Sequence, residues 1–253
     1  MKQVNVKKPY KTAMVRGLTA ERTIELIKKG HELGADIFGV QLCLLKDEEK
    51  TTEKLARIFS ACKDKPVYVT NYKTGENTDK THDQLANELV ALLDINSNLI
   101  IDVMGDMFCS AEYQLTYDEN AVKKQKELIK KIHDKGGRVL MSSHLIDGFT
   151  GSEKILEIAL AQQSRDVDFV KIVSKCNTDE EFLQTIDTYK LLNENVTTPY
   201  LYLTSGEKCQ ASRLLGVKLG NCMWLCSVEH DEVSTKEQPL LEIINKMHGD
   251  DVL

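Results

Sequence analysis

The sequence lacks several features by which whole classes of protein are identified. Its 253 residues contain no apolar run approaching the roughly 20 residues of a membrane-spanning helix. Residues 1–8 have no apolar core of the kind found in a signal peptide. The formal charge is −6 and no basic run occurs, so nothing favours binding to nucleic acid or to an anionic membrane. We therefore expect a cytoplasmic protein with neither nucleic-acid nor membrane partners.

Cysteine is present, but not in an arrangement that predicts disulfides or a metal site. The seven cysteines are an odd number, and none forms a CxxC pair. His82, His133 and His248 lie on predicted outer helices or in the C-terminal tail, where no ligand set converges. We expect reduced thiols and no bound metal. Cys43 could be a nucleophile, but a small packed residue is the favoured interpretation.

Eight predicted strands alternate with eight predicted helices. The strands are predicted at residues 11–15, 35–42, 66–70, 98–103, 138–144, 167–173, 199–204 and 221–226. Among the helices between them, those after Thr19, Ser152 and Thr178 have a hydroxyl residue as the predicted N-cap. This alternation over about 250 residues is typical of a (β/α)8 TIM barrel, here a single domain spanning residues 1–253. An open doubly wound sheet is disfavoured because the sequence has neither GxGxxG after strand one nor GxxxxGK[ST] anywhere.

The sixth predicted strand, Val167-Asp-Phe-Val-Lys-Ile-Val173, contains a lysine where a buried strand would ordinarily have none. Burial disfavours the charged form of lysine, so we expect the pKa of Lys171 to fall from about 10.4 toward neutrality. A neutral amine can attack a ketone and form a Schiff base. The alternative is a lysine whose stem packs at the strand end while its ammonium group reaches solvent.

The neighbouring strand favours the catalytic interpretation. In a TIM barrel the chemistry lies at the C-terminal ends of the strands, and His144 ends strand five beside the strand of Lys171. Histidine carries protons near neutral pH. Imine chemistry requires at least an amine that forms the Schiff base and a group that transfers protons, and Lys171 and His144 on adjacent strands provide both.

Four segments in order resemble the type I 3-dehydroquinate dehydratase family. They are Val139-Leu-Met-Ser-Ser-His144, Asp168-Phe-Val-Lys-Ile172, Ala211-Ser-Arg213 and Ser234-Thr-Lys-Glu-Gln238. The resemblance runs from Met14 to Gln238. It implies a hydro-lyase of the shikimate pathway, without a cofactor, that acts on a small keto acid and is commonly a homodimer.

Carried over residue by residue, the resemblance assigns roles to six side chains. Lys171 would form the Schiff base, His144 would be the general acid and base, and Glu76 would orient the imidazole. Arg213 would bind the substrate carboxylate with its forked guanidinium. Ser234 and Gln238 would lie on a lid after strand eight. Gln41 and Tyr72 are further expected substrate-binding residues, at positions where the sequence departs from the family pattern.

The sequence departs from the family pattern on one wall of the expected pocket. Where the family has Glu-x-Arg-x-Asp on strand two, this chain has Gly39-Val-Gln41-Leu-Cys43, and Tyr72 stands in place of an arginine after strand three. Removing partners of substrate hydroxyls relaxes or redirects specificity. Three hypotheses remain: a divergent 3-dehydroquinate dehydratase, the same imine mechanism on another carboxylated ketone, or a non-catalytic barrel that binds a metabolite.

Overall fold

A computed structural model describes residues 8–249, in which eight strands alternate with eight α-helices. The strands β1 to β8 are Tyr10–Val15, Ile37–Gln41, Val67–Thr70, Leu99–Met104, Arg138–His144, Phe169–Lys175, Tyr200–Ser205 and Met223–Ser227. The helices α1 to α8 are Ala20–Glu32, Thr52–Ala61, His82–Leu92, Glu119–Asp134, Ser152–Gln163, Asp179–Asn195, Cys209–Gly216 and Leu241–Gly249. Short 3₁₀ helices occupy Leu42–Leu44, Asp47–Glu49, Gly75–Asn77 and Glu112–Gln114.

The strands form one sheet in the order β7-β6-β5-β4-β3-β2-β1-β8. The strand pairs for which a register is defined are parallel, for example Lys171 beside Leu201. Every strand is buried along most of its length because one side of each strand faces the barrel interior and the other side faces the helices. The predicted (β/α)8 TIM-barrel fold is confirmed.

The described residues pack as two compact units. The first contains residues 103–130 and 139–224; the second contains residues 10–102 and 131–138 and the chain from residue 225. Tyr189 and Tyr202 are among the largest buried side chains of the first unit, and Phe38, Ile58 and Tyr68 among those of the second. The expected single domain over residues 1–253 stays a prediction.

Side-chain caps fix where several helices begin. Thr19, Thr51, Thr81 and Thr178 each accept a hydrogen bond from the backbone N–H three residues on, satisfying a donor that has no partner within the helix. The predicted cap at Ser152 is wrong. Gly151 is the N-cap of α5, because the Ser152 hydroxyl instead bonds Thr188 on α6 at 2.7 Å. Within residues 8–249, no helix is both long enough and apolar enough to cross a membrane.

Candidate active site

Lys171 lies in the middle of β6 with its backbone fixed by a buried glutamine. The backbone N–H donates to Oε1 of Gln162 on α5 at 3.2 Å, and the carbonyl accepts from Nε2 of the same amide at 3.3 Å. Lys171 is only 6% exposed, so most of its side chain is buried. The loss of charge expected of its amine stays a prediction.

His144 projects from the same face of the sheet as Lys171. Gln162 Nε2 donates to Ser143 Oγ at 2.9 Å, so Ser143 faces α5 and its neighbour His144 faces the opposite side. Lys171 is in register with Ser142, which shares that opposite side. A strand spacing of about 4.8 Å and an offset of two residues at about 3.3 Å each put the Cα atoms of His144 and Lys171 about 8 Å apart. Long side chains at that separation can reach one bound molecule.

The imidazole of His144 is held by a glutamine from the loop that connects β4 to α4. Nδ1 lies 3.1 Å from Oε1 of Gln114, and the backbone N–H of His144 donates to the same oxygen at 3.0 Å. His144 is half-buried, so one side of the ring remains accessible. The resemblance gave the orienting role to Glu76, which stays a prediction.

Arg213 lies on α7 and is 7% exposed. Its Nε donates to the carbonyl of Thr204, next to the end of β7, at 2.9 Å. This bond anchors the guanidinium at the carboxyl end of the strand. Lys171, His144 and Arg213 therefore belong to the first unit, on β6, β5 and the helix after β7.

Gln41 ends β2 in the second unit and is buried against an arginine that the sequence did not single out. Its Oε1 accepts from Nε of Arg16, which follows β1. Arg16 Nη1 also donates to the carbonyl of Val233 at 2.9 Å, in the loop after β8. Burial lowers the pKa of Arg16 from its ordinary value, and nearby Cys43 and Tyr72 oppose that shift. A guanidinium thus lies beside the position where the family has one on strand two.

Tyr72 shares a carboxylate with a second tyrosine. Its hydroxyl donates to Oδ2 of Asp102 on β4 at 2.5 Å, and the hydroxyl of Tyr68 donates to the same oxygen. Burial, and then the charge of Asp102, raise the pKa of Tyr68 well above its usual value. Both phenol hydroxyls are therefore hydrogen-bond donors to one buried carboxylate oxygen of Asp102.

Gly39 stands where the family has a glutamate, and the space around it is too small for a side chain. A Cβ placed there would lie 2.2 Å from Sδ of Met14 and 3.4 Å from the ring of Tyr68. Those two side chains fill the position that a glutamate would occupy. The altered wall is thus packed by an apolar thioether and a phenol.

The other predicted site residues of the second unit lie in two loops. Glu76 is exposed on the 3₁₀ helix Gly75–Asn77. Ser234 and Gln238 lie in the loop after β8, as predicted. The hydroxyl of Ser234 donates to the carbonyl of Asp231 at 3.0 Å, and Gln238 Oε1 accepts from Ser227 at 3.2 Å.

Three residues around this chemistry were missed by sequence reasoning. Gln114 has no periodic pattern around it, and Gln162 reads as one polar residue among others on a helix. Arg16 carried a usable signal, because it directly follows a strand at the end where TIM barrels have their active sites. Among residues 8–249, no group of three or more potential ligands is arranged to hold a metal ion. Cys43 is a free, buried thiol.

One family model matches nearly the whole chain. Residues 12–248 match the model of the family described as type I 3-dehydroquinase. A comparison of the sequence with curated proteins found no match.

Solved structures of that enzyme have the same fold at low identity. The 3-dehydroquinate dehydratase of Geobacillus kaustophilus is 13% identical with a TM-score of 0.82, covering 96% of this chain and 91% of that one. The type I enzyme of Clostridium difficile, solved with covalently modified comenic acid, is 17% identical with a TM-score of 0.80, covering 96% and 92%. The enzyme of Enterococcus faecalis is 14% identical with a TM-score of 0.77, covering 97% and 96%. The TM-scores establish the shared fold. Sequence identities this low do not identify the substrate of this chain, which has to be argued from the chemistry of its residues.

Proposed function

Since this chain belongs to the type I 3-dehydroquinase family, we propose that it is a hydro-lyase that converts 3-dehydroquinate to 3-dehydroshikimate through an imine on Lys171. One observation carries the proposal. A buried lysine on β6 shares a sheet face with His144 on the adjacent strand. A chain that had kept only the fold would have no reason to retain a buried amine beside an imidazole.

The proposed chemistry begins at the amine. Neutral Lys171 attacks the ketone carbon, water leaves, and a protonated imine forms. The imine draws electrons from the neighbouring C–H bond, whose proton His144 removes to give an enamine. The enamine expels the hydroxyl on the next carbon as His144 returns its proton, so water departs. Hydrolysis of the imine consumes one water and releases the unsaturated ketone and free Lys171, leaving one water lost overall.

The binding roles in the proposal follow the family pattern. Arg213 pairs with the substrate carboxylate, for which a forked guanidinium is suited. Ser234 and Gln238 contribute from the loop after β8, while Gln41 and Tyr72 contact the substrate hydroxyls. Glu76 is retained as a further partner of His144. A cytoplasmic homodimer is part of the same proposal, and sedimentation should give a mass near twice the 28.6 kDa of one chain.

Reduction with borohydride tests the mechanism directly. We expect incubation with 3-dehydroquinate and borohydride to give a stable adduct, detected by intact mass and mapped to Lys171 by peptide mass spectrometry. The Lys171→Met variant should give no adduct. Lys175→Met, on the same strand and the same face, should keep it. If no candidate keto acid labels Lys171, the non-catalytic metabolite-binding barrel is the better explanation.

A second function is supported by the rebuilt wall. Gly39 is filled by Met14 and Tyr68, and the hydroxyl of Tyr72 is bonded to Asp102. This wall favours a different carboxylated ketone handled by the same imine mechanism. Steady-state kinetics on a panel of cyclic and open-chain keto acids separates the two functions. A kcat/KM for 3-dehydroquinate at least about 100-fold above that of every other substrate would eliminate the second.

A further inference from the structure

The contact between Gln114 and His144 determines which nitrogen of the imidazole carries the proton. A backbone N–H can only donate, so the amide atom that faces the N–H of His144 must be oxygen rather than the NH₂ group. The same oxygen lies 3.1 Å from Nδ1. An acceptor at that position requires Nδ1 to be the donor. In a neutral imidazole the other nitrogen, Nε2, then has the lone pair.

We propose that Gln114 is the positioning residue of His144: it holds the neutral imidazole in the Nδ1–H tautomer and so makes Nε2 the proton-accepting nitrogen. The proposal rests on the proposed function in one respect, since a tautomer matters to catalysis only if His144 is the acid and base. The tautomer itself is a property of the protein without substrate.

The loop around Gln114 is built to hold this contact. Tyr113 and Gln114 have φ values of 59° and 47°, left-handed conformations that cost non-glycine residues about 1–3 kcal/mol each. The backbone is held there by Ser143, whose hydroxyl donates to the carbonyl of Gln114 at 2.8 Å. Gly105 allows the approach, since a Cβ there would lie 2.6 Å from the same carbonyl oxygen.

A buried chain of hydrogen bonds joins this contact to the backbone of Lys171. Ser143 accepts from Gln162 at 2.9 Å, and Gln162 brackets Lys171 through its N–H and its carbonyl. Ser143 and Gln162 are both fully buried. The network therefore fixes the strands of both proposed catalytic residues, and Gln114 is the member that reaches the imidazole ring.

An uncharged partner has a consequence that a carboxylate would not have. Gln114 accepts from Nδ1–H whether the ring is neutral or charged, but it adds no negative charge to stabilise the imidazolium. A carboxylate in its place would favour the charged ring. The Gln114→Glu variant should therefore keep the tautomer while raising the pKa of His144. Gln114→Met, of similar size, removes the acceptor.

Nitrogen NMR of histidine-labelled protein without substrate tests the proposal. The resonances of His144 are assigned by their loss in His144→Gln. Above its pKa, wild-type His144 should show a protonated Nδ1 and a bare Nε2, and Gln114→Met should show a substantial Nε2–H population. Gln184→Met, an exposed glutamine on α6, should leave the spectrum of His144 unchanged.

The kinetic readout follows the tautomer. Gln114→Met should lower kcat at least about 10-fold with KM within about threefold, because proton transfer and not binding is impaired. Gln114→Glu should move the acidic limb of the kcat profile to higher pH. A wild-type His144 in the Nε2–H form overturns the proposal, and this result needs no variant to fold. Failure of the proposed function would instead appear as a correct tautomer in a protein that labels no keto acid at Lys171.

Discussion

At the scale of single residues, a buried arginine donates to neutral oxygens, and no salt bridge to it is found within residues 8–249. Arg165 is 2% exposed and donates to the carbonyls of Gly105 and Thr116 and to the amide oxygen of Gln125. Burial lowers the pKa of this guanidinium from its ordinary value. These bonds fasten both ends of the loop that carries Gln114.

Replacing Arg165 should therefore destabilise the protein strongly. The Arg165→Met variant leaves the buried carbonyl of Thr116 and the buried amide oxygen of Gln125 without a donor, each costing about 1–3 kcal/mol, so we expect the free energy of unfolding to fall by about 3 kcal/mol. Urea denaturation measures the change. Arg57→Met is the matched control, since the exposed pair of Arg57 and Glu21 at 3.1 Å should contribute less than about 1 kcal/mol. Equal losses in both variants would contradict the assignment.

A buried thiol makes the free energy of unfolding depend on pH in the alkaline range. Cys62 is fully buried, and burial raises the pKa of its thiol from 9.0 to about 12. The unfolded chain therefore loses this proton at lower pH than the folded protein does. The contribution of the thiol to stability is complete below pH 9 and is lost as the pH rises from 9 to 12.

The Cys62→Ala variant isolates that effect. Relative to wild type it should gain about 1.4 kcal/mol of stability for each pH unit above 9, whatever its difference at neutral pH, because it has no thiol to ionise on unfolding. Urea denaturation of both proteins at several pH values from 7 to 10.5 gives the difference and cancels the other titrating groups. A difference that does not change with pH would show that Cys62 ionises alike in both states.

At the scale of elements, the start of α2 offers two adjacent threonines with different tasks. Thr51 is the N-cap and its hydroxyl accepts from the backbone N–H of Lys54 at 3.3 Å, whereas Thr52 is the first helical residue. Both are exposed. We expect Thr51→Ala to lower the free energy of unfolding by about 1 kcal/mol. Thr52→Ala should change it by less than about 0.5 kcal/mol, since it removes no cap. Thermal denaturation of the pair decides between a capping effect and a general loss of hydroxyls.

The elements also show what a sequence reveals and what it conceals. β5 was predicted with the bounds it has, because Gly136 and Gly137 end the preceding helix and the apolar residues Val139-Leu-Met141 follow closely. β6 was predicted to begin two residues too early and to end two too early, since its polar end, Ser174 and Lys175, has no apolar signal. Sequence patterns therefore locate buried strands, but they do not place the polar ends of strands consistently, since the polar end of β5 was predicted and that of β6 was missed.

Some residues of the candidate site could likewise be predicted from the sequence, and others could not. Lys171 and His144 were found from the sequence because they interrupt or end buried strands, where such residues are conspicuous. Gln114 could not be found, because its position depends on two left-handed residues and on contacts with Ser143 and Gly105, which are distant in the chain. The predicted cap at Ser152 is wrong for a related reason, since a partner on another helix competes for its hydroxyl.

At the scale of the whole molecule, family and fold are shared while one wall has diverged. The family model matches residues 12–248, yet the solved relatives named above are only 13–17% identical. Such divergence is tolerated when volume and pattern are preserved in the core. The substituted wall residues are themselves bonded or packed, as the contacts of Gln41 and Tyr72 show. The residues that differ from the family pattern therefore have specific contacts of their own.

The two compact units pose a question of cooperativity. Neither is a continuous stretch of chain, and the sheet order runs through all eight strands. Each unit is assembled from separate stretches of the chain, so neither unit is complete until distant stretches have come together. We therefore expect residues 1–253 to unfold as one domain. Trp224, the single tryptophan of the sequence, is buried on β8 and is the last residue assigned to the first unit. A Trp224→Phe, Phe59→Trp double variant moves the reporter to the second.

Urea denaturation followed by tryptophan fluorescence in the wild type and in this double variant, with circular dichroism in each, measures the cooperativity. Within each protein, the fluorescence and circular-dichroism transitions should coincide in midpoint and slope. Enlarging a packed aromatic position costs about 1–3 kcal/mol, so the two proteins will differ in midpoint, and only the agreement of probes within each protein is diagnostic. A fluorescence transition separated from circular dichroism in both proteins, in opposite directions, would establish two domains that unfold independently.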